Sequence, residues 1–324
     1  MLEFKELLNI VKKGIENLEL GTNPPELYLP IRYSLDAGGK RFRPVLVLAA
    51  YNLFYDDVEK AIAPALAVEL FHNFTLVHDD IMDKADLRRN RPTVHKQWNE
   101  NIAILSGDAI LIKAYDLILQ SPKESLSEIF SLFNQSALQV CEGQQLDMNY
   151  EQRLDVSEEE YIEMIRLKTS VLVAASLKMG ALCAGAHIFN ANRLYDFGIK
   201  LGLAFQLQDD YLDVYGDPEK FGKMVGGDIV ANKKTYLLVK SLELAEGDVR
   251  DRLLELIEAK NIEPNYKIDQ VLKIYDQLDI RSLVKRKMEE YYNQAIDSLN
   301  SVEVDQVKKS HLIEFADQLM IRES

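Results

Sequence analysis

The sequence predicts an all-α protein, built as a single large helical bundle. Glycine is sparse for a chain of 324 residues, at 15 positions, and no proline occurs between Pro122 and Pro218. Strands and tight turns would usually introduce prolines into a span of this length. No alternating run of β-branched residues is long enough to build a sheet. Residues 1–324 are therefore expected to form one helical domain, with a core drawn from a 47% hydrophobic content.

Two of the predicted helices can be located from local patterns. The first is indicated by apolar residues at steps of four, four, three and four, which form one stripe of a helix: Leu66, Leu70, Phe74, Val77 and Ile81. The second begins where Ser157 and Glu160 have the spacing of a capping box. This helix is expected to continue towards Gly185.

Charge and cysteine content exclude several classes of protein. The 38 basic and 52 acidic residues give a net charge of −14, which repels nucleic acid and anionic membrane surfaces. Cys141 and Cys183 are too few for a disulfide framework, and both are predicted to be reduced core thiols. Residues 169–189 are apolar, but Lys178 lies in their middle, which favours a buried helix over a membrane span. The N-terminus does not resemble a signal peptide, so a cytoplasmic location is expected.

Two copies of the pattern DDxxD indicate where the chemistry takes place. They comprise Asp79, Asp80 and Asp83 in the first cluster and Asp209, Asp210 and Asp213 in the second. On a helix, residues four apart differ by about 40° around the axis, so the outer aspartates of each cluster share a face. Such carboxylates repel each other unless a cation compensates, and Mg²⁺ binds carboxylates together with phosphate oxygens. Apolar sequence flanks both clusters, which favours a cavity wall over a solvent-exposed acidic face.

Positive charge is concentrated in two short stretches. GGKRFRP at 38–44 places three cations beside two glycines, and RRNR at 88–91 follows the first aspartate cluster. On a chain of net negative charge, these stretches indicate a receptor for an anion. Arginine forks and lysine suit a diphosphate. For the second stretch, a solvated turn held by ion pairs is an open alternative.

Together these motifs resemble the trans-type isoprenyl diphosphate synthases. The resemblance is carried by residues 38–44, by HDDIMDKADLRRNRPTVH at 78–95, by FQLQDDYLD at 205–213 and by GKMVGGDIVANKKTYLL at 222–238. It implies an all-α bundle around a central cavity, assembled as a homodimer. It also implies Mg²⁺-dependent head-to-tail condensation of isopentenyl diphosphate with an allylic diphosphate, which releases pyrophosphate. Three Mg²⁺ ions are expected per active site.

The resemblance assigns roles to individual residues. The aspartates of both clusters, Asp79, Asp80, Asp83, Asp209, Asp210 and Asp213, would bind Mg²⁺. The substrate diphosphates would be bound by Lys40, Arg43, His72, Arg88, Arg89 and Lys233. Catalytic roles fall to Lys168 and Lys223 beside the allylic diphosphate, and to Thr169 and Gln206 facing the developing allylic cation. The lysines between 223 and 234 are a candidate lid.

Product length, within this family, depends on side-chain bulk beneath the first aspartate cluster. Phe74 lies five residues before Asp79 and is followed by the smaller Thr75. This arrangement resembles enzymes that make geranylgeranyl diphosphate (C20), with farnesyl diphosphate (C15) as the alternative. Phe74 as an ordinary core residue is a second interpretation, because aromatic residues at helical spacing are usually buried.

Three other functions are compatible with parts of the sequence. A terpene cyclase shares metal-triggered ionisation, but it needs neither the second DDxxD nor the cations Lys40 and Arg43. A metal-dependent phosphohydrolase would need histidine ligands, and the chain has only five histidines. A non-catalytic subunit of a heteromeric synthase has no need to retain both aspartate clusters.

Overall fold

The computed structural model describes residues 2–216, 225–259 and 261–320, and the all-α prediction is confirmed. Up to the middle of the chain, the elements are α1 (Phe4–Glu16), α2 (Pro25–Asp36), α3 (Phe42–Asn52), α4 (Glu59–Met82), β1 (Leu87–Arg88), β2 (Arg91–Pro92), α5 (Val94–Gln97), α6 (Glu100–Ile118) and α7 (Leu126–Tyr150). They are followed by α8 (Glu158–Ile165), a π-helix (Arg166–Ser170), α9 (Val171–Cys183), α10 (Ile188–Tyr215), α11 (Gly227–Val230), α12 (Tyr236–Leu244), α13 (Gly247–Glu258), α14 (Pro264–Gln277), α15 (Ile280–Asn300) and α16 (Gln306–Met320).

The chain divides into two compact units. The first unit is drawn from Met1–Ala137, Ala175–Tyr195 and Val302–His311, within the described parts of these ranges. The second unit is drawn in the same way from Leu138–Ala174, Asp196–Ser301 and Leu312–Ser324. The expectation of one domain over residues 1–324 stays a prediction.

In the first unit, α4 is the central helix and packs against α3 and α6. The predicted apolar stripe is confirmed for four of its five residues, because Leu66, Leu70, Phe74 and Val77 are buried, while Ile81 is half-buried. Burying such a stripe contributes about 1.5–3 kcal/mol per large side chain, which outweighs weak local preferences. The stripe fixes the rotation of α4, and with it the direction in which the aspartates at its end point.

In the second unit, the predicted capping box opens α8. The Ser157 hydroxyl accepts a hydrogen bond from the Glu160 N–H at 3.2 Å, and the Glu160 carboxylate accepts one from the Ser157 N–H at 3.0 Å. The helix continues to Cys183 as predicted, but a π-helical segment interrupts it at Arg166–Ser170. Such bulges are frequent at functional sites, because the extra residue redirects the side chains it carries.

Glycines on two neighbouring helices allow close packing around the π-helix. A Cβ atom added at Gly202 of α10 would lie 2.7 Å from the Cα atom of Ser170. One added at Gly143 of α7 would overlap the backbone nitrogen of Lys168. Any larger residue at these two positions would displace the segment that carries Lys168 and Thr169.

Three further findings bear on the sequence predictions. Neither cysteine forms a disulfide and Cys183 is buried, but the prediction that Cys141 is a core thiol was wrong, because it lies exposed on α7. The short antiparallel hairpin of β1 and β2 was not predicted, since two-residue strands leave no periodic signal. Within the described ranges, no helix has the length and apolar character needed to cross a membrane.

Candidate active site

The first aspartate cluster lies at the carboxyl end of α4. Asp79 and Asp80 are in its last turn, and Asp83 follows the helix, with its N–H donating to the Asp79 carbonyl at 2.8 Å. The carboxyl end of a helix carries partial negative charge, so acidic side chains there are electrostatically unfavourable. A cation bound at this point would relieve both that repulsion and the repulsion between the carboxylates.

Asp80 is buried and forms an ion pair within the protein. Its Oδ1 accepts hydrogen bonds from Arg88 Nε at 2.8 Å and from Arg88 Nη2 at 2.6 Å. The pair joins α4 to β1 of the hairpin that follows the cluster. Metal binding by Asp80 and diphosphate binding by Arg88 stay predictions, and the structure shows the two side chains bound to each other.

The tip of the hairpin brings the two basic stretches together. Arg89 and Asn90 both have positive φ angles, 53° and 61°, as a two-residue turn between paired strands requires. The Arg89 guanidinium donates to the Gly38 carbonyl, and a Cβ atom at Gly39 would lie 2.6 Å from that guanidinium. Glycine at 39 is needed for this approach, and its φ angle of 125° also disfavours other residues.

His72 is held in its neutral form by its surroundings. Burial lowers the pKa of His72 well below its usual value, and nearby arginines lower it further. Its Nε2 lies 3.3 Å from Arg43 Nη1. Because arginine only donates, Nε2 accepts, and the proton of the neutral ring resides on Nδ1. His72, Arg43 and Arg89 thus form one group in the first unit, while Lys40 is exposed beside it.

Arg41 has a structural role that the sequence did not reveal. It was counted among three cations of the GGKRFRP stretch, but its side chain is buried and donates to Glu69 and to the Leu35 carbonyl. Asn73 Nδ2 completes the group by donating to Glu69 Oε1 at 2.8 Å. A glutamate inside the apolar stretch of α4 was the one available signal, because a buried carboxylate needs a cationic partner.

The predicted chain-length residues lie on the same helix but in different surroundings. Phe74 is buried, and its ring centroid lies 5.7 Å from that of Phe71 and 4.6 Å from that of His78. The Thr75 hydroxyl donates to the His72 carbonyl of its own helix at 2.8 Å. Control of product length by Phe74 and Thr75 stays a prediction.

In the second cluster, Asp210 is buried and bound on both carboxylate oxygens. Its Oδ2 accepts from the Tyr161 hydroxyl and from the Tyr236 N–H at 2.9 Å, and its Oδ1 accepts from Gln206 Nε2 at 3.2 Å. Burial raises the pKa of Asp210 to about 7, although these hydrogen bonds favour the charged form. Asp210 thereby joins α8, α10 and the beginning of α12, and its role as a metal ligand stays a prediction.

The π-helix presents two predicted catalytic residues of the second unit. Thr169 Oγ1 donates to Gln206 Oε1 at 3.1 Å, and the role of both residues beside the allylic cation stays a prediction. Lys168 Nζ lies 2.6 Å from Asp147 Oδ2, a partner that the sequence did not indicate. Lys223 lies outside the described residues.

Asp213 has a second acidic neighbour that the sequence predictions omitted. The Asp228 N–H donates to Asp213 Oδ2 at 2.9 Å, and Lys233 Nζ lies 3.7 Å from Asp228 Oδ1. Partial desolvation disfavours the charge of the half-exposed Lys233, but the carboxylates of Asp228 and Asp210 outweigh this and raise the pKa of Lys233. Asp228 belongs to the GGDIVANKK stretch at 226–234, so its position in that motif was the available signal.

The chemistry of these side chains fits Mg²⁺ bound together with a diphosphate. In the described ranges, no three His, Cys, Asp or Glu side chains are grouped so as to hold an ion by themselves. Mg²⁺ commonly takes one or two carboxylates and completes its shell with phosphate oxygens and water. Asp79 and Asp83 provide such carboxylates in the first cluster, and Asp209 and Asp213 provide them in the second. The lysines and arginines of each unit provide positive charge for binding phosphate oxygens.

Comparison with known proteins agrees with this geometry. The polyprenyl synthetase family model matches residues 24–275. The geranylgeranyl diphosphate synthase of Sulfolobus acidocaldarius is 38% identical over 314 residues, 92% of this chain and 91% of that protein. The geranylfarnesyl diphosphate synthase of Natronomonas pharaonis is 37% identical over 250 residues, 72% of this chain and 73% of that protein. A crystal structure of a geranylgeranyl pyrophosphate synthase is similar with a TM-score of 0.95 at 44% identity, covering 100% of both chains.

Proposed function

The chain belongs to the polyprenyl synthetase family, and we propose that it makes geranylgeranyl diphosphate from isopentenyl diphosphate and allylic diphosphates. It is a prenyltransferase, as its family and its relatives over most of the chain indicate. The observation that carries the proposal is the pair of carboxylate clusters, each accompanied by cations within its own unit. A C20 product is supported by the names of those relatives and by the bulk of Phe74.

Catalysis in this family depends on Mg²⁺, and we propose that three ions serve the reaction. Asp79 and Asp83 would hold Mg²⁺ in the first unit, and Asp209 and Asp213 in the second. Bound Mg²⁺ supplies charge neutralisation for a departing diphosphate. Asp228 adjoins Asp213 and is a further candidate ligand.

The chain's own residues bind the diphosphates and stabilise the charge that develops. The allylic C1–O bond breaks and its electron pair leaves with the diphosphate, so C1 becomes positive. The amide oxygen of Gln206 and the hydroxyl oxygen of Thr169 carry the partial negative charge that stabilises such a cation. C4 of isopentenyl diphosphate then attacks C1 with the electrons of its C3–C4 double bond, which leaves C3 positive. C2 loses a proton to the released diphosphate, and the electrons of that C–H bond form a new C2–C3 double bond.

Isopentenyl diphosphate would bind to the cationic group of the first unit. Arg43 and Arg89 provide planar donors for phosphate oxygens, and exposed Lys40 adds a mobile charge. Neutral His72 accepts from Arg43 through Nε2, so it orients that arginine without adding charge. The alternative of a metal-dependent phosphohydrolase is disfavoured, because a His72 surrounded by arginines is a poor metal ligand.

We also propose that the protein is a homodimer. Leu105, Ile112 and Leu119 lie seven residues apart along α6 and its end, and each is about 60% exposed. A stripe of this kind is characteristic of a helix that packs against another chain. Leu105→Asp combined with Ile112→Asp should convert the dimer to a monomer in sedimentation experiments, and an unchanged mass would contradict the proposal. The cytoplasmic location stays a prediction.

Product analysis tests the proposed reaction. Purified protein would be incubated with Mg²⁺, isopentenyl diphosphate and, in turn, C5, C10 and C15 allylic diphosphates, and the dephosphorylated alcohols would be identified by mass spectrometry. A dominant C20 alcohol is expected, with no product when EDTA is present. A C15 or C25 alcohol would retain the enzyme class and refute the chain length. Hydrocarbon released from the allylic substrate alone would indicate a terpene cyclase.

Aspartate variants test the two clusters separately. Asp79→Asn and Asp213→Asn should each lower kcat about 100-fold or more, because each removes charge that holds the metal near the leaving group. Asp269→Asn, an exposed carboxylate on α14, is the matched control and should leave the rate unchanged. Full activity in either cluster variant would contradict the assignment.

A further inference from the structure

We propose that Tyr161 is a positioning residue of this prenyltransferase, and that it acts through Asp210 on the side-chain amide of Gln206. The proposal rests on the prenyl transfer proposed above and on Gln206 facing the allylic cation. Tyr161 lies on α8, 45 residues before Gln206 in the sequence, and its side chain is almost completely buried. Nothing in the DDxxD motif identifies it.

A continuous chain of hydrogen bonds runs from Tyr161 to the π-helix. The Tyr161 hydroxyl donates to Asp210 Oδ2, and Gln206 Nε2 donates to Asp210 Oδ1 at 3.2 Å. Thr169 Oγ1 then donates to Gln206 Oε1 at 3.1 Å. All four residues belong to the second unit, and they connect α8, α10 and the π-helix.

This chain fixes which way the Gln206 amide points. Both oxygens of Asp210 accept hydrogen bonds, Oδ2 from the Tyr161 hydroxyl and the Tyr236 N–H and Oδ1 from Gln206 Nε2, so the NH₂ group of Gln206 faces Asp210. The carbonyl oxygen of the amide must then face Thr169, which donates to it. The reversed amide would place an electropositive NH₂ group where the allylic cation develops. Orientation of the amide therefore decides whether Gln206 stabilises or opposes the positive charge.

Tyr161 is suited to hold Asp210 in the required position. Asp210 Oδ2 has two donors, the Tyr161 hydroxyl and the Tyr236 N–H at the start of α12. Together they fix the plane of the carboxylate, and Oδ1 is left aimed at Gln206. The capping box at Ser157 fixes the start of α8, and the Tyr161 ring packs 6.3 Å from the ring of Tyr236. Without the hydroxyl, Asp210 keeps one donor on Oδ2 and can rotate about it.

Removing one oxygen atom tests the proposal. Tyr161→Phe should lower kcat about tenfold and leave KM for isopentenyl diphosphate within about twofold, because that substrate is assigned to residues of the first unit. Tyr292→Phe is the matched control, since it also removes a tyrosine hydroxyl that donates to an aspartate, Asp317, elsewhere in the structure. The control should leave kcat unchanged. Circular dichroism and melting curves of both variants would verify that each is folded.

A double-mutant cycle separates positioning from general support. In a Gln206→Met background, Tyr161→Phe should have no further effect on kcat, because the amide that it orients is gone. A tenfold loss that persists in that background would overturn the proposal, as would an unchanged kcat for Tyr161→Phe alone. If the unmodified chain forms no prenyl product, the proposed function fails instead, so the two failures are distinguishable.

Discussion

The Arg41–Glu69 ion pair provides a direct test of how the glycine-rich turn is built. Both side chains are buried, with exposed fractions of 6% and 2%. Arg41→Met removes the charge and keeps an unbranched side chain of similar length. The φ angle of 50° at this position is unfavourable for both residues, so the substitution leaves the backbone preference unchanged.

The expected loss of stability follows from the buried charge that remains. Glu69 would keep the hydrogen bond from Asn73 Nδ2 at 2.8 Å, but it would lose its ion pair with Arg41. Breaking a buried pair by removing one partner costs about 3–5 kcal/mol, most of it for the unpaired charge. The double variant Arg41→Met/Glu69→Leu leaves no unpaired charge, so it should recover most of that loss.

Urea denaturation followed by circular dichroism would measure these changes in the free energy of unfolding. Lys273→Met is the matched control, because its ion pair with Asp269 is exposed and should contribute less than about 1 kcal/mol. A loss below about 1 kcal/mol for Arg41→Met would refute the reasoning. So would a double variant that is no more stable than the single one.

Three further predictions concern product length, pH dependence and the segment before α12. Phe74→Ala should shift the product beyond C20, because it removes bulk beneath the first cluster, and an unchanged alcohol by mass spectrometry would exclude Phe74 as the determinant. Burial and arginines lower the pKa of His72, so below pH ~6.5 the unfolded chain takes up a proton that the folded protein does not. The free energy of unfolding should therefore fall by up to about 1.4 kcal/mol per pH unit as pH decreases, and His72→Gln should remove this contribution in urea titrations at pH 7.5 and 5.5. Lys267 is buried and donates to Asn232 Oδ1 at 2.6 Å, so it anchors the segment before α12. Lys267→Met should therefore speed amide hydrogen exchange in residues 230–235, and unchanged exchange would contradict this anchoring.

The sequence alone determined the class of fold, and it predicted where the chemistry takes place. The periodic spacing of apolar residues correctly predicted the buried stripe of α4, because the helical repeat dictates which side chains share a face. The Ser157–Glu160 capping box was also predictable, since it is a local interaction over three residues. The aspartate clusters and basic stretches were found because each is contiguous in the chain.

Only the tertiary structure decided which side chain each of these residues meets. Asp80 and Asp210 have the same sequence pattern as their neighbours, yet they are bound by Arg88 and Tyr161 from other segments. Arg41 turns inward to Glu69, while the adjacent Lys40 stays exposed. Helical spacing fixes direction around one axis, but partners from distant segments depend on how the helices pack. The physical reason is that a buried charge must be neutralised by whichever group packing places beside it, and no local pattern records that choice.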